Sequence, residues 1–234
     1  MKSKNNILKI ALDLSWLKFI WALWVIPIVF IVYNILRYFI EEEKFIQQGF
    51  LPFVYGPTKI FMLVLGIISV SGFLTFYVKQ GIPRKDYFYG QTISAVIVSF
   101  SIMLVGFFIA LVEKEFVSGI HIETYLGQDP SWILLYFIYS VNVVGYFVVG
   151  WLIGAGFYRF GVLIGMAYIA LAILILSIMD RFWVFELKEL FGKLLFFNGV
   201  EFPVVLSFIG TILLILMVLW MNRVTLKKVA VKMK

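Results

Sequence analysis

The stretch that decides the fold reads KQGIPRKDYFYG, over residues 79–90. It is a short polar island between two long apolar runs, Phe61–Val78 and Ile93–Val112. Gly81-Ile82-Pro83 stops one helix before the next begins, because proline lacks the backbone N–H that a helix interior requires. Three cations stand in these twelve residues, and cations between two apolar runs are typical of a loop on the cytosolic side of a membrane. The stretch therefore predicts a turn-plus-helix connector between two membrane-spanning helices.

The composition of the whole chain also indicates that most of it lies in a lipid bilayer. Of the 234 residues, 63% are hydrophobic and 14% are charged, whereas a soluble domain has about 45–50% and about 25%. The aromatic content of 19% suits a protein that is anchored at two membrane–water interfaces. The chain contains no cysteine, so disulfides, a thiol nucleophile and a thiolate metal site are excluded. No removable signal peptide is expected, because charged residues 41–44 follow the first apolar run in place of a small-residue cleavage site.

The apolar runs predict an all-α integral membrane protein with one transmembrane domain over residues 1–234. Each span has close to the ~20 residues that a bilayer requires. The six predicted spans are about Leu17–Phe39, Thr58–Val78, Gln91–Val112, Ser131–Gly154, Gly161–Met179 and Phe202–Met221. A tight cytosolic turn is expected over Ala155–Phe160.

Two further segments are amphipathic and too polar to cross. Residues 1–16 predict an elbow helix that lies in the inner interface. Residues 182–200 alternate apolar and charged side chains and predict an amphipathic, re-entrant segment in the outer leaflet before span six.

The charge distribution predicts the orientation. With both termini inside, thirteen of the twenty Lys and Arg residues but only Asp13 and Asp86 lie on the cytosolic side. Such an asymmetry favours an N-in, C-in topology. The net charge of +7 is then explained by topology and by anionic lipid headgroups, and no nucleic-acid partner is required.

The sequence contains no recognised catalytic or metal-binding motif. The chain lacks a GxxxxGK[ST] loop for ATP, and its single histidine, His121, excludes an HExxH site and leaves no partner for a serine triad. Glu41, Glu42 and Glu43 are interpreted as a solvated helix end, because consecutive helical residues point about 100° apart and converge poorly on one ion. The predicted spans hold almost no ionisable groups, which argues against an ion-driven carrier. Asn34 and Asn142 are interpreted as interhelical hydrogen-bonding groups.

Small residues repeat four apart on both sides of the Arg159 turn, as Gly150–Gly154 and Gly161–Gly165. Such pairs let helix backbones approach closely. We expect them to pack spans four and five together, and a contact between subunits is the alternative.

These features together resemble the permease subunit of a bacterial ABC type-2 transporter. The resemblance covers the layout of the whole chain: six spans, both ends inside, an elbow, the GIPRKDYFYG connector after span two and an amphipathic segment before span six. It implies a multi-pass protein of the bacterial plasma membrane that pairs with a second permease subunit, identical or different. It also implies that separate cytosolic ATPase chains bind ATP and Mg²⁺, so that this chain has no cofactor and is not itself an enzyme.

The resemblance further implies which residues receive motion from the ATPase. Carried onto this sequence, the contact is expected from Arg84, Lys85, Asp86 and Tyr87 of the connector, with Lys9, Asp13 and Trp16 of the elbow nearby.

Family members export lipids, polysaccharides, drugs or peptides. Aromatic and methionine-rich helix faces favour a hydrophobic or amphipathic cargo, for example a cytolytic or antimicrobial peptide, a drug or a lipid; one such face comprises Phe100, Met103, Phe107 and Phe108. The residues that contact the cargo are not predicted. Two alternatives remain open: the substrate-capturing membrane subunit of a vitamin or metal importer, and a membrane enzyme such as an intramembrane protease.

Overall fold

The computed structural model describes residues 2–39, 49–116, 123–124, 127–128, 131–183 and 203–227. The described helices, in chain order, are α1 (Lys2–Phe39), α2 (Phe50–Ile68), α3 (Thr75–Lys79), α4 (Arg84–Phe116), α5 (Trp132–Phe160), α6 (Val162–Trp183) and α7 (Val204–Lys227). A π-helical segment, Ser69–Leu74, joins α2 to α3. Two short strands, β1 (Glu123–Thr124) and β2 (Gly127–Gln128), pair antiparallel between α4 and α5.

Within the described residues, six helical stretches are long and apolar enough to cross a bilayer. They are Asn6–Phe39, Phe50–Lys79, Arg84–Phe116, Trp132–Phe160, Val162–Trp183 and Val204–Lys227. The predicted all-α class and the number of spans are therefore confirmed, and the chain has the character of a multi-pass membrane protein. The predicted amphipathic segment over 182–200 lies outside the described residues except for Phe182 and Trp183, which end α6. His121 and Glu41–Glu43 lie outside them as well.

The N-terminal elbow is not a separate helix. α1 continues without interruption from Lys2 to Phe39, so the predicted boundary at residues 16–17 is wrong. A buried stripe at helical spacing crosses that boundary, formed by Ile10, Ala11, Leu14, Ser15 and Lys18. The first proline in the chain is Pro27, inside the helix, so neither glycine nor proline breaks the backbone near residue 16.

Span two begins earlier than predicted, at Phe50 in place of Thr58. The Phe50 N–H, one of the amides that lack an intrahelical partner, donates to a Glu113 carboxylate oxygen at 2.8 Å. Pro52 occupies the first turn, where a missing N–H costs little. Pro57 lies inside the helix, a position that spanning helices tolerate.

The break between α3 and α4 is shorter than the predicted connector. Gly81 has a φ of 80°, and its N–H donates to Val78 O while the Ile82 N–H donates to Tyr77 O, which is the Schellman ending of a helix. Pro83 O then accepts the N–H groups of Asp86 and Tyr87, and α4 continues from Arg84 to Phe116. Residues 84–90 are thus the first turns of span three, so the connector over 79–90 contains no independent helix.

The break between α5 and α6 is a single residue. Gly161 has a φ of 83° and donates its N–H to Phe157 O, a one-residue left-handed ending. The predicted turn over Ala155–Phe160 is wrong, because those residues are helical. Arg159 lies in the last turn of α5 and donates to Thr225 O at 2.8 Å and Val224 O at 3.2 Å, so it satisfies carbonyls at the end of α7.

The chain divides into two compact units, each described here by itself. The first unit comprises residues 1–61 and 90–143. Its core includes Tyr33, whose ring contacts Phe50 and Phe53 edge-on or tilted, and Tyr55, which stacks on Tyr139 with 4.3 Å between ring centroids.

The second unit comprises residues 62–89 and 144–234 and is built on close backbone contact between α2 and α5. A Cβ added at Gly150 would strike the Leu63 carbonyl, and one at Gly154 would strike the Ile67 carbonyl. Gly66 faces the Phe147 carbonyl in return. Gly150 and Gly154 therefore pack span four against span two, which corrects the expected partner, span five.

The other glycine pair behaves as predicted at one position. Gly165 of α6 approaches the Phe157 ring of α5, where an added Cβ would lie within 2.6 Å of ring carbons. Gly161 forms the turn, with nothing within 4 Å of an added Cβ. Contact between spans four and five thus depends on Gly165, and also on Gly156, which faces Tyr168.

Candidate functional site

The predicted coupling residues divide into two pairs. Arg84 is half-buried and Lys85 is exposed, whereas Asp86 is 6% exposed and Tyr87 is 0% exposed. Because adjacent helical residues point about 100° apart, the first turn of α4 cannot present all four side chains to one surface. Of these four side chains, Arg84 and Lys85 are the accessible ones, whereas Asp86 and Tyr87 are buried in this structure.

Tyr87 is instead an internal anchor of the second unit. Its hydroxyl donates to Ser69 O at 2.5 Å, at the first residue of the π-helical segment. A π-helical turn disrupts the regular i→i−4 ladder, and such turns are frequent at functional sites. The Tyr87 ring also meets Tyr77 and Trp151, with 5.9 and 6.5 Å between centroids. Tyr87 therefore connects the start of α4 to span two and to α5.

A basic pocket lies beside Arg84 and Lys85. It has a volume of about 290 Å³ and is lined by Arg84, Lys85, Phe88, Arg223, Leu226 and Lys227. We call this the basic pocket. Its lining comes from the first turns of α4 and the last turns of α7, and none of these lining residues is acidic.

The apolar base of the basic pocket positions one of its cations. Phe88 and Leu226 are buried. The Arg223 guanidinium lies over the Phe88 ring at 5.2 Å and over the Tyr89 ring at 5.0 Å from their centroids, within the range of cation–π attraction. The predicted span six ends at Met221, whereas α7 continues to Lys227 and so brings Arg223 and Lys227 to the basic pocket. A helical face shared by Arg223, Leu226 and Lys227 was readable from their spacing.

The predicted elbow residues occupy an exposed face of α1 in the first unit. Lys9, Asp13 and Trp16 are all exposed, at spacings of four and three residues that place them on one side of the helix. Opposite them, Gly90 fits against Ile10, where an added Cβ would lie 2.7 Å from the Ile10 side chain.

The membrane-capable helices contain buried ionisable groups. Asp180 is 2% exposed in α6 and accepts the Tyr146 hydroxyl at 3.0 and 3.1 Å. Lys18 is 0% exposed in α1 and donates to Ser94 Oγ at 3.0 Å and Gln91 Oε1 at 3.3 Å. The expectation of almost no charge within the spans is therefore wrong.

Glu113 forms the centre of a third polar cluster, in the first unit. It forms an ion pair with Arg37 at 2.5 Å, accepts the Tyr33 hydroxyl at 2.6 Å and accepts the Phe50 N–H. One carboxylate thereby joins α1, α2 and α4. We call this the Glu113 cluster.

A cavity of about 490 Å³ adjoins the Glu113 cluster in the first unit. Its walls are mainly apolar; the lining residues are Phe30, Tyr33, Asn34, Arg37, Phe108, Ile109, Val112, Glu113 and Phe116. Its size is within the ~300–1,000 Å³ of small-molecule sites. No group of three or more His, Asp or Glu residues is placed to hold a metal ion in the part of the chain that the structure describes.

Comparison of the chain with protein-family models, with curated proteins and with solved structures finds no match.

Proposed function

We propose that the chain is the membrane-spanning permease subunit of an ATP-driven ABC type-2 exporter. In this proposal both termini and the basic turn after span two face the bacterial cytosol, and separate ATPase chains bind and hydrolyse ATP with Mg²⁺. A second permease subunit completes the path. The observation that carries the proposal is an exposed basic turn followed by the buried Tyr87, whose hydroxyl donates a hydrogen bond to Ser69 O.

The basic turn after span two is held in place by hydrogen bonds, so it can transmit the motion of a partner to the spans as a flexible loop could not. Lys79, Gln80, Gly81 and Lys85 are exposed and form the surface that a cytosolic partner touches. The Schellman bonds close the turn, and Tyr87 ties the following helix to Ser69 O. Displacement of the turn would therefore move span two and α5 with it, because packed elements shift as units.

The cargo in this proposal is hydrophobic or amphipathic: a peptide such as an antimicrobial or cytolytic toxin, a drug or a lipid. The 490 Å³ cavity supports an amphipathic class, because its walls are mainly apolar and its lining also includes Asn34, Arg37 and Glu113. A ligand with one polar group and an apolar body matches both surfaces.

The test is co-expression of the chain with candidate ATPases encoded beside it, followed by gentle solubilisation. We expect a stoichiometric complex that hydrolyses ATP. The variant Arg84→Gln/Lys85→Gln should lower ATPase recovery about tenfold, while Lys59→Gln/Lys114→Gln, which removes two cations elsewhere, should recover it fully. Recovery that is equal for both variants contradicts the coupling assignment.

The position of the 490 Å³ cavity favours the importer as the second candidate function. The 490 Å³ cavity lies within one unit of one chain, as the site of a substrate-capturing subunit would. The two functions are separated by reconstituting the purified chain alone: tight binding of a vitamin or metal without any ATPase supports the importer, and its absence together with an ATPase complex supports the exporter.

A further inference from the structure

We propose that the basic pocket binds the phosphate of an anionic phospholipid headgroup. The inference requires that α4 and α7 span the membrane. It does not require an ATPase partner, so it stands or falls separately from the proposed function.

Four cations surround the basic pocket, and no lining residue carries a negative charge. Arg84 and Lys85 enter from α4, and Arg223 and Lys227 enter from α7. Like charges that converge repel one another, and an anion between them removes that repulsion. The guanidinium groups also present paired N–H donors that match phosphate oxygens. The described pocket is therefore chemically suited to a phosphate.

Arg223 is oriented before any ligand arrives. Its guanidinium rests on the Phe88 and Tyr89 rings, so less side-chain freedom is lost when it binds an anion. Arg159, the nearby cation at the end of α5, is engaged with the Val224 and Thr225 carbonyls and is not a lining residue. Arg159 therefore has a structural role, whereas the four cations that line the basic pocket remain available to a ligand.

The position of the pocket along the chain favours a lipid over free phosphate. Arg84 begins one membrane-capable helix and Lys227 ends another, so the pocket lies at the ends of two spans, where headgroups lie. Beyond the pocket, α7 exposes the apolar side chains Val224, Trp220 and Leu216 at 51%, 66% and 55%. These offer a surface along which acyl chains can run once the headgroup is held.

The pocket volume also fits a headgroup. At about 290 Å³ it is at the lower limit of small-molecule sites, with room for a phosphate and its substituent but not for the acyl chains. A free phosphate would make no use of the apolar surface on α7, and this is the difference that an experiment can measure.

The experiment uses the full chain, purified, delipidated in detergent and placed in nanodiscs of phosphatidylcholine with or without 20% phosphatidylglycerol. Retained lipid is counted by native mass spectrometry after release. We expect selective retention of phosphatidylglycerol by the wild-type chain. Arg223→Gln/Lys227→Gln should weaken that retention about tenfold, since both cations that α7 contributes are removed.

The matched control is Lys59→Gln/Lys114→Gln. Each of these lysines also lies over an aromatic ring, Tyr55 at 4.5 Å and Trp132 at 5.1 Å, yet neither lines the pocket. The Lys59→Gln/Lys114→Gln variant should retain phosphatidylglycerol as strongly as the wild-type chain does. Lys85→Gln/Lys227→Gln, which changes only exposed side chains, repeats the test if the Arg223 variant does not fold.

Three results would overturn the proposal. One is equal retention of phosphatidylglycerol and phosphatidylcholine. Another is an equal loss in the pocket and control variants. The third is full displacement of phosphatidylglycerol by 5 mM inorganic phosphate, which would assign the pocket to a free anion.

Discussion

The Glu113 cluster and the basic pocket use charge in opposite ways. In the first unit, Glu113 is paired with Arg37 and also accepts hydrogen bonds from Tyr33 and Phe50. In the second unit, Arg84, Lys85, Arg223 and Lys227 line a cavity to which the described residues contribute no carboxylate. A charge that has its counter-ion within the protein holds the fold together. Charges that share one sign around a cavity are available to a ligand or a partner from outside.

The comparison predicts opposite effects on stability. Removal of a charge from the Glu113 cluster should destabilise the protein, whereas removal of a charge from the basic pocket should not.

Glu113→Gln should produce the largest loss. The amide cannot neutralise Arg37, which is partly buried, so the free energy of unfolding should fall by about 2–4 kcal/mol. The measurement is reversible unfolding in mixed micelles, followed by circular dichroism. Glu115→Gln, two residues on and exposed, is the control and should change stability by less than about 0.5 kcal/mol. Equal losses would mean that the cluster does not hold the first unit together.

Gly150→Ala should destabilise the second unit by about 1–3 kcal/mol, because the added methyl group meets the Leu63 carbonyl and forces α2 and α5 apart. Gly56→Ala is the matched control. A Cβ there meets nothing within 4 Å, and alanine is the better helix former, so a small gain is expected. The same unfolding measurement decides between them, and a neutral Gly150→Ala would contradict the close approach.

Tyr87→Phe removes one hydroxyl and leaves the ring in place. The lost bond to Ser69 O should cost about 1 kcal/mol of unfolding free energy. In the proposed exporter it should also lower transport per ATP hydrolysed, because α4 is no longer tied to the π-helical segment. Tyr89→Phe, on the exposed side of the same turn, should change neither quantity. An unchanged ratio of transport to ATP hydrolysis in Tyr87→Phe would contradict the proposal that Tyr87 couples the basic turn to span two.

Lys85→Gln should have the smallest effect on stability, between no change and a gain of about 0.5 kcal/mol, because it reduces repulsion among the pocket cations. Arg159→Gln provides the contrast within the same unit. It removes donors to the Val224 and Thr225 carbonyls and should cost about 1 kcal/mol. If Lys85→Gln destabilised the chain as much as Arg159→Gln, Lys85 would be a structural cation.

The sequence predicts the number and class of the helices because span length and hydropathy are local properties. It predicts the ends of the helices less well. A basic residue in the last turn followed by glycine is a recognised helix stop, so Arg159 and Gly161 indicate a helix that ends at Phe160 and not a turn over Ala155–Phe160. The start of α2 depends on Glu113, 63 residues away along the chain, and no local pattern contains that information.

The functional residues also include some that local sequence identifies and others whose surroundings depend on distant parts of the chain. Arg84 and Lys85, two of the four connector residues predicted to contact an ATPase, line the basic pocket. The burial of Tyr87 depends on Ser69 and Trp151, and the burial of Asp180 depends on Tyr146. Such partners come from other helices, so a charged residue after an apolar run is read from sequence as a helix end even when the fold encloses it.

The most direct test of the account is the side of the membrane on which the basic turn lies, since the proposed function requires the cytosolic face. The chain has no native cysteine, so Lys85→Cys and Glu115→Cys each provide one labelling site at an exposed position. With a membrane-impermeant maleimide, the account predicts labelling of residue 85 only in inside-out vesicles and of residue 115 in intact cells. Labelling of residue 85 in intact cells would contradict it.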